Sequence, residues 1–184
     1  MRSTKLRPMT QCALLLAMGT VLSLIPIIEM PFGGTVTLMS MLPICMAGIL
    51  HGPAWGFGTA FTCSVIQLML SKCFAWGLSP TVLIVCILAD YIVAFTVLGV
   101  TAFFRGSRGR ICTGIMAAVS LRLCCHYISG VTIWAEMAPE GWNAAVYSLV
   151  YNGFYMLPEM ALTLAGAMVI TAVPQMWRLM GIAN

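Results

Sequence analysis

Long apolar runs, broken at short intervals by clusters of glycine, proline and charge, occupy almost the whole chain. The breakers are Pro31-Phe32-Gly33-Gly34, His51-Gly52-Pro53, Trp76-Gly77-Leu78-Ser79-Pro80, Arg105-Gly106-Ser107-Arg108-Gly109-Arg110 and Pro139-Glu140-Gly141. The runs between them predict helices over about 10–28, 36–51, 53–71, 80–104, 111–134 and 144–172. A membrane-spanning helix needs about 20 mostly apolar residues. From Met30 to Ser71 there is no Asp, Glu, Lys or Arg, which leaves room for two such helices. The pattern predicts an all-α integral membrane protein of six transmembrane helices, forming a single domain over residues 1–184.

Within the fifth run, Arg122, His126, Gly130 and Trp134 recur every four residues. That spacing places them on one stripe of a helix. Tyr147 and Asn152-Gly153 then open the sixth run, and Asp90 lies inside the fourth. Polar and ionisable groups at membrane depth are costly, so they normally face a bundle interior or a cavity. At about 1.5 Å rise per residue, Asp90 lies roughly 15 Å below the surface at which its helix begins. His126 lies roughly 12 Å below Trp134 by the same measure, and Asn152 reaches a similar depth. Three polar side chains from three helices thus meet at one level, with Trp134 and Tyr147 above them.

Composition reinforces the membrane reading: 61% of the chain is hydrophobic and 8% is charged, too apolar for a soluble domain of this length. Arg2, Lys5 and Arg7 precede the first run as they would in a secretion signal. The run is long, however, and no A-x-A-like cleavage site follows, so a retained helix is expected. With six helices, Arg2, Lys5, Arg7, Arg105, Arg108, Arg110 and Arg178 fall on one side and only Lys72 on the other. The positive-inside rule then makes both termini cytoplasmic and puts Glu29, Glu136 and Glu140 in outer loops. This sidedness accounts for the net charge of +4 without a nucleic-acid partner. The eight cysteines lie mostly inside apolar runs, show no CxxC or His/Cys ligand spacing, and read as small packing residues.

Candidate chemistry is narrow. There is no G-x-x-x-x-G-K-[ST] phosphate loop, so ATP hydrolysis is excluded within this chain. No serine or cysteine sits in a recognisable nucleophile elbow. Asp90 and His126 are too few ligands for a metal, and no cofactor is called for. Binding fits better. Asp90 favours a cationic ligand, and Trp134 and Tyr147 can stack on a flat ring or a cation. Asn152 offers a donor and an acceptor to a heterocycle edge. Gly130, between His126 and Trp134, is expected to leave space for a ring. Arg122 and Glu159 lie deeper and are expected to pair with each other as a buried ion pair, or with Asp90, since a lone buried charge is very costly. On the first helix, Ala13, Ala17 and Val21 form a small-residue face of the kind that lets helices approach closely.

At these residues the chain resembles the thiamine-specific S components, the substrate-binding membrane subunits of energy-coupling factor (ECF) vitamin transporters. The matching text is Pro31-Phe32-Gly33-Gly34-Thr35-Val36-Thr37-Leu38 with Met41-Leu42-Pro43, then Asp90-Tyr91 with Ala94-Phe95. It continues through His126, Gly130, Trp134, Gly141-Trp142, Tyr147-Ser148-Leu149 and Tyr151-Asn152-Gly153. The resemblance implies a six-helix S-component fold with a vitamin pocket in its outer half, in the bacterial cell membrane. It implies an acidic residue, here Asp90, serving the bound cation, and pocket positions at Tyr91, His126, Trp134, Tyr147 and Asn152. Trp134 and His126 would stack, and Tyr147 and Asn152 would hydrogen-bond an aminopyrimidine. The implied partners are thiamine, lipid, a membrane coupling subunit meeting the Ala13/Ala17 face, and two ATPases. Some members carry Glu where Asp90 stands, and some carry a Trp in the first outer loop, where this chain has Phe32 as its nearest aromatic. The residues alone also leave open an S component for another small vitamin or heterocycle, a membrane enzyme or a channel.

Overall fold

A computed structural model of the chain describes residues 3–180. Arg2 and the side chain of Phe32 lie outside what it describes. Helix α1 spans Ser3–Ser23, and an antiparallel hairpin follows, β1 (Pro26–Glu29) with β2 (Thr35–Thr37). Then come α2 (Met41–His51), α3 (Pro53–Leu70), α4 (Pro80–Phe103), α5 (Arg108–Thr132), α6 (Ala144–Ala172) and the short α7 (Pro174–Met180).

Six helices, α1 to α6, thus stand where six apolar runs were expected. The runs ending in α3, α4, α5 and α6 are long and apolar enough to cross a membrane. Helix α2, at 11 residues, is shorter. The first two expected spans need correction at their facing ends. The first helix stops at Ser23 instead of running on to residue 28, and the second starts at Met41 instead of residue 36. Pro26 cannot continue a helix, and Gly33-Gly34 supplies the turn, so the segment between folds as the hairpin. The starts of α5 and α6 follow polar caps. The side chain of Ser107 accepts from the Arg110 amide at 3.3 Å, and that of Asn143 from the Ala145 amide at 2.8 Å.

The helices pack through small residues, as expected where lipid removes the hydrophobic drive between them. A Cβ on Gly56 would stand 2.7 Å from the Gly48 Cα, so α2 and α3 touch backbone to backbone. Thr101 donates to the Cys45 carbonyl at 3.0 Å, tying α4 to the same place. Arg105 closes the end of α2, donating to the carbonyls of Ile49 (2.7 Å) and Leu50 (3.0 Å). Ile44, Ile49, Leu98, Ile111, Ile115 and Met156 are buried between the helices. Leu14, Met18, Phe61, Val146, Phe154 and Val169 project outward, forming an apolar belt on a chain of membrane-length helices.

The opposite half is looser. Helix α4 changes character along its length: Pro80–Cys86 is α-helical, Ile87–Val93 is a π-helical stretch, and Val97–Phe103 winds as a 3₁₀ helix. The π stretch holds Asp90 and Tyr91. Such widened turns are rare and recur at functional sites.

Candidate functional site: a cavity walled by a carboxylate and aromatic rings

The loose half encloses a cavity of about 600 Å³. Helices α4, α5 and α6, the hairpin and the loops after α3 and α5 all contribute to its wall. Each of Asp90, Tyr91, His126, Gly130, Trp134, Tyr147 and Asn152 lines it, so the four-residue stripe and the residues on neighbouring helices do converge.

Asp90 is the hub. Its Oδ1 lies 3.0 Å from Nδ1 of His126. Its Oδ2 accepts from the Ser129 hydroxyl at 2.6 Å and from the Trp134 indole N–H at 3.2 Å. The carboxylate can only accept, so Nδ1 of His126 carries a proton and donates to it. In the neutral ring Nε2 is then an acceptor. That Nε2 is buried and has no partner among the described residues. One negative charge is therefore held in place by three donors from α5 and its C-terminal turn. A rigid, oriented carboxylate in a partly enclosed wall attracts a cation.

The rings surround it. Trp134 meets Trp76 edge to face, with centroids 5.4 Å apart. Tyr147, Tyr151 and Tyr155 form a ladder along α6 with successive centroids 5.9 Å apart. The cavity thus combines an anionic centre with aromatic rings from several elements. It suits a flat heterocycle bearing positive charge. Among the described residues, no group of three His, Cys, Asp or Glu side chains could hold a metal ion.

The thiamine transporter protein family (Thia_YuaJ) matches residues 9–178. The chain belongs to this family. It is 30% identical over 173 residues to the thiamine transporter ThiT of Bacillus subtilis, covering 86% of each chain. It is 31% identical over 102 residues to ThiT of Lacticaseibacillus paracasei, covering 48% of this chain and 51% of that one. The fold is that of a solved structure of ThiT from Listeria monocytogenes, with a TM-score of 0.72, 21% identity, and coverage of 96% of this chain and 98% of that one. The chain is therefore a multi-pass bacterial membrane protein of a transporter family, not of an enzyme family.

Three expectations about individual residues change in this transporter. Arg122 and Glu159 do not pair: no salt bridge joins them among the described residues. Glu159 is instead 1% exposed and accepts from the Thr37 amide (2.6 Å) and the Thr37 hydroxyl (2.7 Å). It ties the hairpin to α6. Arg122 lies over the Phe95 ring, with Cζ 3.6 Å from the centroid, so a π face takes the place of a carboxylate. Gly130 does not leave space for a ligand ring. A Cβ there would collide with the Ser148 hydroxyl and stand 2.8 Å from its Cβ, so the glycine serves the close contact of α5 with α6. Asn152 is turned inward: its amide donates to the Ser148 carbonyl (2.9 Å), and its oxygen accepts from the Tyr155 hydroxyl (2.8 Å). It braces the wall more than it offers a free edge.

Sequence reasoning missed Trp76, Ser129 and Tyr155. Ser129 and Tyr155 lie on α5 and α6 three residues from His126 and Asn152, so helical spacing could have found them. Trp76 sits in a loop, where no periodicity reports direction. Tyr151 stands within the matching text; its hydroxyl bonds the Pro31 carbonyl and accepts from the Gly34 amide at 3.1 Å, joining the hairpin to the wall. Ala13, Ala17 and Val21 are all exposed on one face of α1, while Gly19 meets α2 on the opposite side.

Proposed function

We propose that the cavity is a thiamine site and that the chain is the S component of an ECF-type importer, capturing the vitamin with high affinity. In this reading residues 1–184 form one domain that crosses the membrane six times. Both termini are cytoplasmic and the cavity opens outward. The observation that carries the reading is the triply donated Asp90 carboxylate beside Trp134 in the cavity wall. Thiamine joins a neutral aminopyrimidine to a cationic thiazolium, so it needs a negative centre and ring faces together. Asp90 serves the cation through space, and Trp134 and His126 stack. Tyr91 and Tyr147 supply further contacts from the wall. The names of the relatives support the same substrate.

ATP is hydrolysed elsewhere, because this chain has no phosphate-binding loop. The coupling subunit and two ATPases supply that step, and the exposed Ala13–Ala17–Val21 face of α1 meets the coupling subunit. Positive charge at Arg7, Arg105, Arg108, Arg110 and Arg178 supports the cytoplasmic placement of that end.

Titrating the purified chain with thiamine tests the proposal. Thiamine is expected to quench tryptophan emission saturably, because an electron-poor ring stacks on Trp134. Trp134→Ala should abolish most of the quench and weaken binding by about 1–3 kcal/mol, the scale of a lost aromatic contact with its buried area. Absence of saturable binding by the wild-type chain would refute the thiamine reading.

A further inference from the structure

We infer that Trp76 is a ligand-facing wall of the cavity, set at a right angle to Trp134, and that it governs how long the occupant is held. The inference rests on the thiamine reading above and adds to it a residue from a loop outside the α4–α6 helices.

Trp76 follows the 3₁₀ turn Cys73–Ala75 in the connection between α3 and α4. Three features set its position. Cys73 is buried and lies 3.1 Å from the Ser71 hydroxyl, which anchors the turn. Gly77 has φ +67, a left-handed conformation that reverses the chain directly after the indole. The indole then reaches the first outer loop: its Cζ2 and Cη2 stand 3.6 and 3.7 Å from where Gly33 would carry a Cβ. Gly33 has φ +96, so the loop there also needs glycine.

On its other side Trp76 meets Trp134 at a centroid distance of 5.4 Å and an interplanar angle of 83°. Both rings line the cavity. The orientation of Trp134 is pinned twice, by its N–H bond to Asp90 and by the edge contact with Trp76. Together the indoles make an aromatic corner beside the carboxylate. A flat cationic ring entering that corner meets π surface on two sides. Trp76 remains 36% exposed, so it stands at the solvent end of the corner, where the hairpin and the loops after α3 and α5 come together. Removing the indole therefore takes away a contact made to the bound ring while the Asp90 network stays in place, and dissociation accelerates more than association changes.

Thiamine association and dissociation are measured by stopped-flow fluorescence on the purified full-length chain, with Trp76→Ala and Trp76→Phe beside wild type. Thermal unfolding without ligand is followed for each. Trp76→Ala is expected to dissociate about 3- to 10-fold faster, the range of one aromatic contact. Its association rate and ligand-free melting temperature should stay near wild type. Trp76→Phe, which keeps a ring at the corner, should recover most of the residence time. Unchanged dissociation in both variants would overturn the inference. So would a lowered ligand-free melting temperature with wild-type dissociation, which would make Trp76 a packing residue only. If Trp76→Ala fails to fold, Trp76→Phe and Trp76→Leu decide: equal dissociation rates would overturn the aromatic role, and a faster rate in the leucine variant would support it. A wild-type chain that does not bind thiamine would overturn the site reading itself, a result distinct from a wild type that binds and a Trp76 variant that matches it.

Discussion

Replacing Asp90 by Asn separates charge from shape at the centre of the cavity. The two side chains are nearly isosteric, so the wall keeps its volume. The Asp90 carboxylate is 13% exposed and takes three donors. Since a carboxylate offers roughly four lone-pair sites, about one remains for a ligand. Most of its effect on a bound cation therefore acts through space. For a unit charge about 6 Å away at an effective dielectric of about 20, that is about 3 kcal/mol, or about 100-fold in affinity. The substitution has a second cost, because an amide N–H₂ must face one set of donors. That cost weakens every ligand equally. Comparing thiamine with an uncharged ring analogue of the same shape, by calorimetry on wild type and Asp90→Asn, removes the shared cost from the ratio. Thiamine should lose about 100-fold more than the analogue. Equal losses for the two ligands would show that Asp90 only braces His126, Ser129 and Trp134, and would refute the electrostatic reasoning.

Gly130→Ala should lower stability by about 1–3 kcal/mol, an overpacking cost, because its methyl group drives Ser148 and then Asn152 from their places. Thermal unfolding in detergent checks this, and a wild-type melting temperature would mean that α5 and α6 can part freely. Glu159→Ala should lower stability by about 1–3 kcal/mol by leaving the Thr37 donors unpaired, read as a lower melting temperature in detergent. Replacing Ala13 and Ala17 by Leu should leave thiamine binding by the isolated chain near wild type while uptake in cells is lost, since bulk on that exposed face holds a partner helix away. Wild-type uptake in a well-expressed double variant would remove α1 from coupling.

Much of the architecture was legible because helices and membranes impose simple periods. Apolar run length placed α3 to α6 within a few residues, and glycine–proline clusters marked their ends. The spacing of four between Arg122, His126, Gly130 and Trp134 put them on one stripe, and counting rise per residue brought Asp90, His126 and Asn152 to one depth. The contacts of Asp90 with His126 at 3.0 Å and of the Asn152 amide with the His126 carbonyl at 3.3 Å lie at the shared level that this arithmetic gave. The resemblance carried the family, because its motifs sit on these same residues.

What the sequence by itself determined is therefore which face of each helix is polar and how deep each polar group lies, since both follow from local geometry. Only the tertiary structure decided which groups meet. Arg122 and Glu159 share a depth range, yet rotation of α5 and α6 about their axes turns the arginine onto Phe95 and the glutamate onto Thr37. The same packing fills the space beside Gly130 with Ser148, where residue size alone suggested room for a ligand. The hairpin at residues 26–37 and the reach of Trp76 depend on loop closure between elements far apart in the chain. No helical period runs through a loop, so the direction of the Trp76 indole is set only when α3, α4, the hairpin and the end of α5 come together.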